Sequence, residues 1–453
     1  MNAHRTFRGG VHPPESKELT EHEAIRAMPA PCRVVVPLRQ HLGAPAKAIV
    51  AVGDRVAEGQ PIAEPGGFVS APVHAPIAGE VTFVGPRAHP GGFPCESVVI
   101  EARDGVWPAA TDGAPPPWRL PGASADWERM TRAELTALIR EAGIVGLGGA
   151  AFPTHVKLSP PAGKPIDLLV INGAECEPFL TCDHRVMLEE TAAVVTGVRI
   201  LKRALGVPRA IIGVEGNKPD AIARLGEACA LDDGIEVVAC RVKYPQGAEK
   251  QLINALTGRE VPPPPGLPLD VGVVVQNVGT AAAVARAVTA GLPLYERVVT
   301  VSGSAIARPS NVRVRIGTPL RDIIDFCGGL ASPPAKVVMG GPMMGASLTD
   351  LDVPVVKATS GLLFFTRHEC PDSTPHACIR CGRCGEACPL CLQPSEIALR
   401  VEIGDLDAAQ ALHIQECMEC GTCAYICPSN RWLVQQVRLG KAKLHDRKQQ
   451  RSA

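Results

Sequence analysis

Two runs of cysteine carry the clearest chemistry in this sequence. The first is Cys378-x2-Cys381-x2-Cys384-x3-Cys388-Pro389; the second is Cys417-x2-Cys420-x2-Cys423-x3-Cys427-Pro428. Three thiolates spaced two residues apart can wrap three irons of a cubane on one tight loop, while the fourth, followed by proline, starts the next helix and points to the other cubane. The spacing therefore predicts two [4Fe–4S] clusters. One takes Cys378, Cys381, Cys384 and Cys427; the other takes Cys417, Cys420, Cys423 and Cys388. Paired Cys-x2-Cys sites also hold zinc, but zinc does not require the doubled x2-x2-x3-Cys-Pro run. Cys391 lies close enough to Cys388 to compete as a ligand, and we expect it to be a spectator. Clusters of this kind pass single electrons, so something must feed them.

A second constellation could do so. Gly143-x2-Gly146-x-Gly148-Gly149-Ala150-Ala151-Phe152-Pro153 is glycine-dense, and such a loop lets backbone approach a phosphate or flavin closely. Its spacing is not that of the dinucleotide-fold fingerprint. The strand-like run DLLVING ends in Asn172, followed by Glu175 and Glu177. Lys243, Glu249 and Lys250 lie at another predicted strand-to-helix turn, and Gln276, Asn277 and Thr280 follow a third strand. Each has a plainer explanation: a turn at Asn172, a solvated pair at Glu249 and Lys250, a helix cap at Thr280. Their convergence on strand C-termini, where open α/β sheets bind ligands, favours a cofactor pocket.

Composition narrows the class. The chain has 453 residues, 46% of them hydrophobic, with 46 basic and 46 acidic side chains and 4% aromatics. Neither a bulk positive charge nor an aromatic platform points to nucleic acid. The 17 cysteines are odd in number, nine fall between Cys378 and Cys427, and the N-terminus has no apolar leader. These features argue for a reducing cytoplasm rather than a disulfide framework. No run of about 18 apolar residues is present, so no membrane span is expected.

The elements that must position these groups fall into five segments. Residues 1–104 hold a polar, extended start (HPPESK) and then short β runs such as CRVVVPL, GDRVAEGQPIAE and ESVVIEA. VGDRVAEGQPIAE and APIAGEVTFV resemble the half-motifs of a biotinyl/lipoyl barrel. The stretch between them, PGGFVSAPVH, has no lysine to carry a swinging arm, so the barrel is read as structural. Residues 105–126, rich in proline, glycine and alanine, read as a linker. Residues 127–296 begin with an amphipathic helix ending at Gly143 and continue as alternating strands and helices, a largely parallel α/β domain. HRVMLEETAAVVTGVRILKRALG reads there as one helix. Residues 297–365 look like a ubiquitin-like β-grasp module. Residues 366–453 hold the cassettes, for which the long spacing between Cys388 and Cys417 predicts a helical ferredoxin-like domain, and a basic tail from Arg438 to Arg451. That tail reads as a solvated, frayed end, with anionic lipid or a partner protein as the alternative. Cys32, Cys95, Cys229, Cys240, Cys327 and Cys370 are expected to pack as small hydrophobes.

GLGGAAFPTHVKL, NGAECEPFLTCDHR, YPQGAEKQL and QNVGTAAAV resemble the FMN- and NADH-binding subunit of respiratory complex I and its hydrogenase-diaphorase relatives. With GGVHPPESKELT, GFVSAPVHAPIAGEV, the β-grasp (SLBB-type) unit and the two cassettes, the chain from about Gly9 to Leu444 resembles the RnfC component of the Rnf electron-transport complex. The resemblance implies a barrel-sandwich hybrid, a Rossmann-like α/β domain, a β-grasp module and a two-cluster ferredoxin domain, in that order. It implies FMN near Gly146, Gly148, Gly149, Lys157, Asn172, Glu175, Gln276, Asn277 and Thr280, and NADH near Phe152, Glu177, Glu249 and Lys250. Leu147 departs from the complex I pattern, which has arginine there. As partners it implies integral-membrane and ferredoxin-like subunits, with ferredoxin or flavodoxin reached through them. It also implies a peripheral place on the cytoplasmic face of the bacterial inner membrane. A soluble cobalamin-reductase-type enzyme and a non-catalytic ferredoxin-like scaffold are the alternatives; the former generally lacks the HPP start and barrel present here.

Overall fold

The computed structural model describes residues 5–102, 118–370 and 374–452. At its centre is a four-stranded parallel sheet. In space its strands run Ile235–Cys240, Arg209–Glu215, Leu168–Gly173 and Val273–Asn277. These strands are almost continuously apolar because helices cover both faces. On one face lie helices Thr191–Leu205 and Val278–Ala290, which meet backbone to backbone: a Cβ on Gly197 would collide with the Ala281 carbonyl oxygen. On the other face Leu252 and Ile253 of helix Glu249–Thr257 pack with Val170, Val238 and Val275. The first strand in sequence lies between the second and the fourth, so the winding reverses between Leu168–Gly173 and Val273–Asn277. That reversal opens a crevice at the strand C-termini, the usual ligand position of such sheets.

The amphipathic helix forms over Arg132–Glu141, started by a reciprocal Thr131–Glu134 capping box and followed by Gly143 at φ +65°. The long helix expected over residues 184–206 is two helices, Cys182–Glu189 and Thr191–Leu205. Glu190 takes a non-helical conformation at the break because its carboxylate is drawn to Arg286 and Arg313 from neighbouring elements. The Thr191 hydroxyl donates to the Met187 carbonyl at 2.7 Å, replacing a lost helical bond. Much of the expected linker lies outside the described residues. From Trp118 onward it is bound chain, with the Trp118 amide on the Glu58 carbonyl and the Leu120 amide on the Gly291 carbonyl.

The barrel closes over Val34, Val36, Ile62, Ile77, Val81, Val98 and Ile100. Its loop PGGFVS leaves the Phe68 side chain 75% exposed. The β-grasp sheet has six strands because the N-terminal segment Ile25–Ala27 adds a parallel edge strand to Ser310–Arg315. The residues before it strap the molecule together. The Gly10 amide bonds to the Ala387 carbonyl in the cysteine domain, Val11 pairs with Tyr244, and the Phe179 amide bonds to the Glu15 carbonyl.

The cysteine domain is helical, as expected, and internally repeated. Each residue matches one 39 positions on: Cys378 with Cys417, Cys381 with Cys420, Cys384 with Cys423, Cys388 with Cys427. The left-handed residues match as well: Arg380 with Glu419, Gly382 with Gly421, Cys391 with Asn430. Helices Pro394–Glu402 and Leu433–Ser452 start at matching positions. The basic tail is not a frayed end. It is the second of these helices, and Arg438, Lys441 and Arg447 pair with Glu419, Glu419 and Asp407.

Candidate functional site

The glycine loop lies over the crevice between the Leu168–Gly173 and Val273–Asn277 strands. It is closed on itself by the Gly146 amide on the Phe152 carbonyl (2.9 Å) and the Thr154 amide on the Ile144 carbonyl (3.0 Å). Leu147 is buried; its amide donates to the Thr280 hydroxyl at 2.9 Å, and its carbonyl accepts from Arg297 of the β-grasp sheet at 3.3 Å. Gly148 must be glycine, since a Cβ there would stand 2.5 Å from Asn277 Nδ2. A Cβ on Gly149 would meet nothing within 4 Å, so this part of the loop faces open space. A planar ring or phosphate could approach bare backbone here.

Below the loop, Asn277 caps helix Val278–Ala290 through Oδ1, accepting from the Gly279 amide at 2.8 Å and the Thr280 amide at 3.3 Å. Its Nδ2 donates to Asp183 at 2.6 Å. Thr280 and Asn277 thus support the loop. Gln276 is buried with its Nε2 unpartnered among the described residues, a donor left free at the strand end. Asn172 donates to the Gly247 carbonyl at 2.7 Å and so joins two strand-end turns. Lys157 reaches the fourth strand, donating to Glu249 at 2.7 Å and to the Val275 carbonyl at 3.0 Å. Phe152 is half-buried at the end of the loop. Lys250 is turned to the Pro262 carbonyl instead.

Glu175 and Glu177 lie on a strained turn, with Glu175 at φ +50° and Phe179 at φ +66°. The Glu175 carboxylate caps helix Cys182–Glu189, accepting from the Asp183 amide at 2.6 Å; burial pushes its carboxyl up to about 7. Glu177 accepts from the Met343 and Met344 amides of the β-grasp module at 3.0 and 2.9 Å, and burial likewise pushes it up to about 7. Two buried lysines hold this turn. Lys17 of the strap donates to the Glu175, Glu177 and Leu180 carbonyls, and Lys218 to the Ala174 carbonyl at 2.8 Å. Sequence reasoning missed both lysines, and nothing local distinguishes them from solvated ones.

In the cysteine domain, Cys388, Cys417, Cys420 and Cys423 line a single, mainly apolar cavity. The Glu419 amide faces Cys417 Sγ and the Leu392 amide faces Cys388 Sγ, both at 3.4 Å. Four converging thiols with amides on their sulfurs fit a [4Fe–4S] cluster. Cys384 and Cys427 both pack against the cluster of Ala398, Cys423, Leu433 and Val434, while Cys378 and Cys381 are exposed, with the Arg380 amide on Cys378 Sγ at 3.4 Å. Cys391 matches Asn430 in the repeat and is exposed, which suits a spectator. Burial raises the Cys423 and Cys388 thiols, so metal binding at these ligands releases protons.

The two sites meet at Tyr244. This buried residue stands on the turn before helix Glu249–Thr257, and its hydroxyl donates to the Cys420 carbonyl at 2.7 Å. Beside it Gln251 donates to the Pro389 carbonyl at 3.5 Å. The second cassette thus docks on the α/β domain through Tyr244, the end of the first cassette meets it at Pro389, and Cys378 and Cys381 stay exposed.

Comparison with known proteins agrees with this architecture. Residues 5–105 match the RnfC barrel sandwich hybrid domain, 139–286 the Nuo51 FMN-binding domain, 298–347 the SLBB domain and 377–431 the 4Fe-4S dicluster domain. The expected order of barrel, Rossmann-like domain, β-grasp module and cluster domain is borne out. The chain is 49% identical over 397 residues to the C component of the proton-translocating ferredoxin:NAD(+) oxidoreductase complex of Clostridium ljungdahlii, covering 87% of this chain and 84% of that one. It is 46% identical to the C component of the Na(+)-translocating ferredoxin:NAD(+) oxidoreductase complex of Acetobacterium woodii, over 97% of both chains. It is 43% identical to the C component of the ion-translocating oxidoreductase complex of Rhodobacter capsulatus, over 98% of this chain and 84% of that one. An NAD+-reducing [NiFe]-hydrogenase structure shares the fold, with a TM-score of 0.51 at 20% identity over 73% of this chain and 69% of its own. Among the described residues no helix is long and apolar enough to cross a membrane. The chain belongs to the RnfC family, the C components of the ion-translocating ferredoxin:NAD+ oxidoreductase complexes.

Proposed function

We propose that this chain oxidises NADH at an FMN held over the sheet crevice and passes the electrons to two [4Fe–4S] clusters, the cluster of the second cassette first. The observation that carries the order is the Tyr244–Cys420 hydrogen bond, which joins the flavin-side turn to that cassette. When bound, the flavin accepts a hydride and releases electrons singly to the clusters; the protein orients and tunes these groups. Gly146, Gly148 and Gly149 offer backbone to the flavin, with Lys157, Asn172, Glu175, Gln276, Asn277 and Thr280 around it. Phe152, Glu177, Glu249 and Lys250 form the nucleotide side. Cys388, Cys417, Cys420 and Cys423 hold the first cluster to be reduced; Cys378, Cys381, Cys384 and Cys427 hold the second. The chain works as one member of a larger membrane-bound assembly. Its place there is the peripheral arm on the cytoplasmic face of the inner membrane. Integral-membrane and ferredoxin-like subunits translocate the ion and exchange electrons with ferredoxin or flavodoxin.

The test is anaerobic purification, assay of flavin, iron and sulfide, and stopped-flow addition of NADH. We expect one FMN, about eight irons and flavin bleaching before cluster bleaching. Tyr244→Phe should leave flavin bleaching intact and slow cluster bleaching. Clusters without flavin or an NADH response would make the chain a non-catalytic scaffold. Unslowed clusters in the Tyr244 variant would reject only the proposed order.

A further inference from the structure

The 39-residue repeat gives the two cassettes nearly the same backbone frame, so side chains that differ between matching positions stand out. Charge is one such difference. Arg380 in the first half matches Glu419 in the second, Leu399 matches Arg438, and Glu402 matches Lys441. In the second half these residues form a closed group. Lys441 Nζ donates to the Cys417 carbonyl at 2.5 Å and to Glu419 at 2.8 Å, while Arg438 Nε donates to the other Glu419 oxygen at 2.8 Å. Glu419 lines the four-cysteine cavity, and its amide faces Cys417 Sγ. Lys441 is held by a carboxylate and a carbonyl at once, with its side chain only 22% exposed. In the first half Glu402 pairs with Arg431, and Arg380 is exposed.

A cluster held by four thiolates becomes more negative when it accepts an electron. A fixed cation beside a ligand residue stabilises the reduced form and raises the midpoint potential; a nearby carboxylate does the reverse. We propose that Lys441, fixed by Glu419 and the Cys417 carbonyl, is a positioning residue that raises the potential of the cluster bound by Cys388, Cys417, Cys420 and Cys423. The cluster in the other half, with glutamate at the matching position, receives no such help. The effect runs through a charge that stays fixed while electrons come and go, so it biases the first acceptor toward taking electrons from the flavin.

The proposal rests on the ligand sets given above, and the experiment separates the two. Midpoint potentials of both clusters are measured by EPR-monitored redox titration of the full chain with Lys441→Met, Lys441→Arg and Glu419→Gln. We expect Lys441→Met to shift one cluster to more negative potential and Glu419→Gln to shift the same cluster to more positive potential. Lys441→Arg should hold it near the wild type, and the other cluster should stay in place throughout. A merely structural role predicts loss of the cluster from both Lys441→Met and Glu419→Gln, or shifts of one sign in both variants, and either pattern overturns the proposal. If only Lys441→Met costs a cluster, the sign of the Glu419→Gln shift decides: positive supports the proposal, and zero or negative overturns it. A wild-type chain carrying only one cluster overturns the ligand sets, and the proposal falls with them.

Discussion

At the scale of single residues, the glycine loop separates two duties that glycine can serve. Gly148 is glycine because Asn277 stands where its Cβ would be. Gly149 has no such neighbour, so a side chain there would enter only the open space in which we propose the flavin lies. The two therefore differ in prediction. Gly148→Ala must push Asn277 aside, breaking the cap on helix Val278–Ala290 and the bond to Asp183, at a cost of about 1–2 kcal/mol. Gly149→Ala should leave stability within about 0.5 kcal/mol of wild type yet lower bound flavin. Thermal unfolding and flavin content of the purified variants check both. A Gly149→Ala protein with full flavin content would mean that the flavin does not lie against this backbone. The cysteine cassettes and the glycine loop were legible at this scale because their chemistry depends on close spacing. The tasks of Tyr244, Lys17 and Lys218 were not, because each is defined by a partner far away in sequence.

Among elements, the same contrast holds. Helix Arg132–Glu141 could be read directly, since its cap and its apolar stripe are local. The break at Glu190 could not, because it is caused by Arg286 and Arg313 from elsewhere in the chain. The N-terminal strap is the largest element that sequence left undefined. A polar, proline-containing stretch reads as extended, and it is extended, but its hydrogen bonds run to the flavin-type domain, the β-grasp module and the cysteine domain. Lys17 is its anchor: 4% exposed, within 3.9 Å of Glu175 and bonded to three carbonyls of the turn that carries the site glutamates. The Glu175 carboxyl, already pushed up to about 7 by burial, can take a proton if Lys17 is lost, so the cost falls on the three carbonyls left without their donor. Lys17→Met should therefore lower stability by about 1–3 kcal/mol and shed flavin, while iron content stays near wild type. Stability by denaturant titration and cofactor content of the folded variant test this. A variant as stable as wild type would reduce the strap to a surface trim.

In the whole molecule, one buried lysine reports how the modules are joined. Lys357, on the β-grasp side, is fully buried and donates to the Pro72 carbonyl of the barrel at 3.0 Å. It also donates to the Gly143 carbonyl, where the glycine loop begins, at 2.7 Å. Its amide donates to the Gln40 side chain and its carbonyl accepts from Arg297, which in turn holds Leu147. Barrel and β-grasp module thus act as the floor of the glycine loop, which gives a physical reason for a barrel whose PGGFVSAPVH stretch has no lysine to modify. Burial pushes the Lys357 ammonium down from 10.5 to about 7. Between those values the unfolded chain holds a proton that the folded chain has released. Unfolding free energy must then rise with pH across that window, by at most about 1.4 kcal/mol per unit. Below pH 7 both states are protonated and this contribution is flat. Lys357→Met leaves two carbonyls unpaired, so it should cost about 1–3 kcal/mol, and it should remove the alkaline rise. Unfolding of wild type and variant at pH 7 and pH 9 gives the difference directly. If the gap between them does not widen at the higher pH, Lys357 is charged in the folded protein and the joint between the modules is held by an ammonium rather than an amine.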